Sequence, residues 1–139
     1  MKFRFFSGLA LGFAVLAAGC NHLDVTAPFT EDRVLTGLVT YEIEMPLPDD
    51  AVVTVRVIDA SNPAAPMVLG ETTVTRPGRS PIPFRIEYRA DDELLMHQIR
   101  VEARISIGGK LRFYSVAGHP VTLSNVNDLH VVKVEPADK

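Results

Sequence analysis

QIRVEARISIGGKLRFYSV, residues 98–116, is the stretch of sequence that decides the fold class. Its apolar side chains fall on the odd positions from Ile99 to Ile107, with polar side chains between them. Because successive side chains of a β-strand point to opposite faces, this alternation predicts a strand with one buried face. Gly108-Gly109 then predicts a two-residue hairpin turn, and Leu111 to Val116 is predicted to return as the partner strand.

The same period of two recurs in both directions from this hairpin. Pro83 cannot donate to a ladder, so the strand that contains it is predicted to begin at a sheet edge. Gly70 indicates a bulge in another strand, and Asp91–Leu95 predicts a single helical turn. The remaining strands are predicted at residues 34–43, 53–57, 67–75, 82–88 and 129–134.

About seven strands separated by turn residues predict an all-β fold. Each strand has one apolar face to bury, and no amphipathic helix is available to cover a lone sheet. We therefore predict a single β-sandwich of about seven antiparallel strands, Ig-like in architecture. A closed barrel is the alternative.

The N-terminus predicts an export signal. Lys2 and Arg4 precede an apolar run of about ten residues, Leu9 to Ala18, which is shorter than the roughly 20 residues that cross a bilayer as a helix. The run ends in Ala17-Ala18-Gly19-Cys20, which resembles the bacterial lipobox, although Ala17 replaces the usual leucine. The resemblance implies cleavage before Cys20 and attachment of a lipid to its sulfur. A plain secretory signal followed by a free cysteine is the alternative.

Cys20 is the only cysteine of the chain, so an internal disulfide is impossible, and acylation accounts for a lone thiol in an oxidising compartment. Asn21 follows it, which in enteric-type sorting is similar to a lipoprotein sent to the outer membrane. The predicted organisation is a signal peptide at 1–19, a lipidated tether at 20–33 and a β-sandwich domain at 34–135. The expected location is the outer membrane, facing the periplasm.

Charge excludes one class of partner. The chain has 14 basic and 17 acidic residues, and loss of Lys2 and Arg4 with the signal leaves 12 basic residues, a net charge of −5. Nucleic-acid binding needs a basic footprint, so no nucleic-acid partner is expected.

Residues suited to catalysis are scattered. No two of the four histidines stand three or four positions apart, so a metal site is not predicted. No Gly-x-Ser-x-Gly elbow or phosphate-binding glycine loop is present, and the carboxylates at 49–50 and 91–93 lie beside turn formers. We expect no enzymatic activity, no cofactor and no small-molecule substrate. The histidines of the mature chain outside the last strand are expected at the surface: His22 in the tether, His97 at a strand start and His119 in a loop.

With these residues in view, the chain resembles the YbaY/YscW family of bacterial lipoproteins. The matching stretches begin at Leu35-Thr36-Gly37-Leu38-Val39-Thr40-Tyr41 and continue through the phrase around Leu47-Pro48-Asp49-Asp50-Ala51. They also include Ser80-Pro81-Ile82-Pro83-Phe84-Arg85-Ile86-Glu87-Tyr88 and the hairpin after Val101.

The resemblance implies a periplasm-facing β-sandwich lipoprotein that binds rather than catalyses. In the YscW branch the members are pilotins, lipoprotein chaperones that escort a secretin subunit to the outer membrane. The expected partners are therefore the membrane, through the lipid, and an envelope protein such as a secretin subunit. A structural or stress-related envelope lipoprotein with no dedicated client is the alternative, and a ligand-binding or hydrolytic module is a third reading.

Overall fold

The computed structural model describes residues 32–137, so the predicted signal peptide and Cys20 lie outside the described residues. The described part contains nine strands and one 3₁₀ turn at Leu94–Met96. The strands are β1 (Asp32–Thr40), β2 (Ala51–Asp59), β3 (Met67–Thr75), β4 (Ile82–Arg89), β5 (Ile99–Ile107), β6 (Lys110–Tyr114), β7 (His119–Pro120), β8 (Leu129–Lys133) and β9 (Glu135–Pro136).

The strands form two sheets, which confirms the predicted all-β sandwich. The small sheet has the order β4-β1-β8, and the large sheet has the order β3-β2-β5-β6-β9, with β7 also paired to β5. Seven of the nine strands are five residues or longer, as expected from the sequence. One pairing differs from the prediction: β1 and β8 run parallel, whereas all strands were expected to be antiparallel. Within residues 32–137 no helix is long and apolar enough to cross a bilayer.

Alternating residues of β1, β2, β4, β5 and β8 build the core between the sheets. In β4 the inward side chains of Ile82, Phe84, Ile86 and Tyr88 are buried and the intervening ones are exposed. The odd positions of β2 and β5 from 53 to 57 and from 99 to 105 are buried in the same way. Each such side chain contributes about 1.5–3 kcal/mol by leaving water, so the period-two pattern fixes which face of every strand turns inward.

Several local predictions are confirmed. Gly108 and Gly109 both have positive φ, at 59° and 79°, and form the two-residue turn between β5 and β6. The β2–β3 register shifts beside Gly70, which is the predicted bulge. Pro83 lies on β4, an edge strand of the small sheet. The Asp91 carboxylate accepts a hydrogen bond from the Leu94 amide at 2.7 Å, which anchors the predicted helical turn.

Gly37 lies at the middle of the small sheet, where β1 is paired on both sides. Its neighbours in register are Phe84 of β4 and His130 of β8. A Cβ atom at this position would overlap the His130 carbonyl oxygen and would lie 2.5 Å from Cζ of the Phe84 ring. The absence of a side chain therefore allows three strands and one aromatic ring to meet at this point.

The C-terminal segment passes from one sheet to the other at Val134. Before it, β8 pairs with β1, and after it, β9 pairs with β6. The Val134 amide donates to the Thr40 carbonyl at 2.9 Å, and its side chain is buried. This crossover joins the two sheets at one edge and leaves a gap beside it.

Candidate functional site

An apolar cleft of about 270 Å³ opens beside this crossover. Two segments that alternate inward and outward side chains form its walls, one following β1 and the other joining β8 to β9. Phe113 of β6 completes the floor. The lining residues are Tyr41, Glu42, Ile43, Phe113, Lys133, Val134, Glu135 and Pro136.

Tyr41 holds the floor of the cleft in place. Its ring packs against Phe113 with centroids 5.7 Å apart and the planes tilted by 33°. Its hydroxyl donates to the Met45 carbonyl at 2.9 Å and accepts from the Ser80 amide at 3.2 Å. The Tyr41 side chain thus connects the loop after β1 with the loop before β4, and the floor cannot move without breaking these bonds.

Charged side chains stand at the rim. The Lys133 ammonium donates to the Glu42 carboxylate at 2.8 Å. This hydrogen bond, together with the attraction between the two opposite charges, lowers the pKa of Glu42 and raises the pKa of Lys133. The charge of Glu135 also raises the pKa of Lys133. Both groups of the pair are exposed, so the contact adds little to stability. Two carboxylates surround one ammonium, which leaves the rim net negative.

The dimensions of the cleft favour a protein partner. Pockets for small molecules enclose about 300–1,000 Å³ and cover most of their ligand, whereas this cleft is smaller and open on one side. Its walls are apolar, and Ile43 is 46 % exposed at its edge. Such a site suits a large apolar side chain of another protein.

A second surface depression lies where the edges of β3 and β4 meet, and it is more charged. Arg89 donates to Asp32 at 2.8 Å, and Glu87 accepts from Arg85 at 2.9 Å. Its lining has Leu69 and Val34 as apolar members. The charges there pair mainly with one another, so this surface has less to offer an apolar partner.

Ser61, Asp59 and His97 lie together, but their spatial arrangement does not activate the serine hydroxyl. The Ser61 hydroxyl donates to Asp59 at 2.6 Å, and His97 Nδ1 lies 3.2 Å from the other oxygen of that carboxylate. The Ser61 hydrogen bond is the largest cause of the lowered pKa of Asp59. A nucleophilic serine must donate to a base that can accept its proton, and here the carboxylate stands between serine and histidine. His97 is half-exposed at the strand start, as predicted.

The other two described histidines form a pair that the sequence analysis did not predict. His119 lies in strand β7 and not in the expected loop, because its segment pairs with Val101 of β5. His130 is 1 % exposed, and its ring meets the His119 ring edge to face at 5.0 Å. The sequence contained a pattern that predicts burial of His130. His130, Val132 and Val134 alternate along this segment, so all three side chains lie on the inner face. No cluster of metal-ligand residues occurs within 32–137.

Burial of the His130 ring lowers its pKa. The charge of His119 acts in the same direction, and the charge of Asp128 with the carbonyls of Asn125 and Val126 opposes it. Neither ring nitrogen makes a hydrogen bond of good geometry. The folded state therefore favours the neutral form of the His130 imidazole.

We expect acid to destabilise the domain through His130. An unfolded histidine takes up a proton near pH 6.5, whereas the folded one stays neutral to lower pH. Stability therefore falls as the pH drops below about 6.5, with a limiting slope of about 1.4 kcal/mol per pH unit for one proton. Urea unfolding of the wild type and of His130→Leu between pH 7.5 and 5 measures the slope. The variant should be less sensitive to pH in this range. Equal slopes for wild type and His130→Leu would contradict the assignment.

The fold and the cleft together define a class of protein: a small β-sandwich with an apolar cleft at the crossover between its sheets. A family model described as type III secretion system lipoprotein chaperone (YscW) matches residues 30–133. Because the match spans most of the chain, the protein belongs to the YscW family, which confirms the resemblance drawn from the sequence.

A solved structure supports the same relationship. An alternative pilotin from the type II secretion system of Vibrio cholerae superposes with a TM-score of 0.68 and is 28 % identical in sequence. The match covers 78 % of this chain and 100 % of the pilotin chain. Comparison with curated proteins yields no match.

Proposed function

We propose that this chain is a non-enzymatic, pilotin-type lipoprotein that binds a secretin subunit and accompanies it to the outer membrane. The observation that carries the proposal is the family match over residues 30–133, together with a pilotin of the same fold. The apolar cleft between the sheets is the surface that we assign to the client.

The membrane part of the proposal rests on the N-terminal sequence. Cys20 carries the lipid, and Asn21 directs the lipoprotein to the outer membrane. Eleven residues separate Cys20 from Asp32, the first residue of β1, and an extended chain of that length spans on the order of 40 Å. A client bound to the sandwich is thereby kept close to the bilayer.

Co-purification of the secretin with the full-length lipoprotein tests the client. A deletion strain should lose heat-resistant secretin multimers from its outer membrane, and the unaltered gene should restore them. Ile43→Asp places a charge in the cleft and should fail to restore them. Val34→Asp is the matched control, because Val34 is 45 % exposed and lies away from the cleft.

Normal secretin assembly in the deletion strain would contradict the proposal. If that strain instead became sensitive to detergents, the function would be that of an envelope lipoprotein without a dedicated client.

A further inference from the structure

The rim of the cleft carries a charge pattern that bears on the chemistry of its occupant. Glu42, Lys133 and Glu135 all line the cleft, and the ammonium already donates to Glu42 at 2.8 Å. The lining therefore presents two carboxylates and one ammonium around an apolar floor.

We infer that the cleft selects a peptide segment in which a large apolar side chain has a lysine or arginine within two residues. The apolar side chain enters between Ile43 and Phe113, and the cation lies against Glu135 and the outer oxygen of Glu42. An anion in the same place would face unbalanced carboxylates. This inference rests on the proposed function for the origin of the segment, and it adds the rule by which the segment is recognised.

Volume and shape support one inserted side chain. The cleft of about 270 Å³ has room for a leucine or phenylalanine side chain but is small for a ligand of drug size. The Tyr41–Phe113 ring contact closes the floor, so the occupant reaches the aromatic surface and stops there. Apolar anchors of this kind supply most of the affinity at protein interfaces, while charges at the rim supply selectivity.

Two synthetic 12-residue peptides test the inference. They share one central phenylalanine in a neutral polar sequence, and the residues beside it are lysines in one peptide and glutamates in the other. An NMR titration of the isotope-labelled chain reports both affinity and location. The lysine peptide should bind at least about fivefold more tightly in low salt, and the difference should shrink in 0.5 M NaCl. The amide signals of Ile43, Phe113 and Val134 should shift.

Charge reversal supplies the matched comparison. The double variant Glu42→Lys with Glu135→Lys should reverse the preference between the two peptides. Glu87→Lys is the control, because Glu87 is also exposed and also paired with a cation, Arg85 at 2.9 Å, but lies outside the cleft. This control should leave the preference unchanged.

Equal affinity for the two peptides, or shifts confined to other surfaces, would overturn the inference. A variant of Phe29, the one phenylalanine in the sequence of the predicted tether at 20–33, supplies another such outcome. If Phe29→Ala changes the cleft signals without added peptide, the chain's own N-terminal segment is the occupant and the inference fails. Secretin co-purification is scored separately. If the charge-reversed variant captures secretin equally well, the recognition rule is wrong and the proposed function is unaffected. If the chain prefers the lysine peptide but captures no secretin, the recognition rule holds and the proposed function is wrong.

Discussion

Gly37→Val is expected to unfold the domain, or to lower its free energy of unfolding by about 3 kcal/mol or more. The new Cβ would overlap the His130 carbonyl oxygen, and the Phe84 ring atoms lie 2.5 and 2.8 Å from the same position. The ring can rotate, but the carbonyl belongs to the β1–β8 ladder and can yield only if the strands separate. Urea unfolding followed by circular dichroism measures the loss.

Thr36→Val is the matched control, because it introduces the same side chain one position earlier in β1 at an exposed site. It should change the free energy of unfolding by no more than about 0.5 kcal/mol. Adding Phe84→Leu to Gly37→Val should recover only part of the loss, since the carbonyl contact remains. A Gly37→Val protein as stable as the control would show that the small sheet tolerates a side chain there.

Cys20→Ala should abolish attachment of the lipid anchor, an all-or-none effect on the chain. If Cys20 carries acyl chains, each buried CH₂ contributes about 0.8 kcal/mol of membrane affinity, and the variant loses the whole anchor. The protein should then appear in the soluble periplasmic fraction, or remain in the membrane with residues 1–19 uncut. Membrane fractionation and the intact mass of the purified protein distinguish these outcomes.

His22→Ser is the control for this experiment, because it alters a nearby residue of the predicted tether and keeps both the sulfur of Cys20 and Asn21. It should be lipidated and fractionate like the unaltered protein. If Cys20→Ala matures and fractionates in the same way, Cys20 is not the anchor.

The strands were predictable because their information is local. In β4 the alternation of Ile82 to Tyr88 assigns an inner face without reference to any other strand. The Gly108-Gly109 turn likewise depends only on backbone freedom at two positions.

Pairing between distant strands was not predictable in this way. Leu129 of β8 lies opposite Thr36 of β1, more than ninety positions earlier, and no local pattern encodes whether such strands run parallel or antiparallel. The cleft depends on the same long-range pairing, because the crossover at Val134 brings the segment after β8 beside the segment after β1. His130 differs, since its place in the alternation of β8 was readable from the sequence, although no burial was predicted for it.

The position of β1 has a mechanical consequence. The predicted tether joins β1 at Asp32, and the cleft opens just beyond its other end, at Tyr41. Under the proposed function, a load between a lipid on Cys20 and a client in the cleft would therefore run along the axis of this strand. Eight residue pairs with β4 and five with β8 flank β1, and a pull along the strand shears these ladders together instead of opening them one bond at a time. If the proposed function holds, the strand that links the anchor to the client is therefore held on both sides against tension.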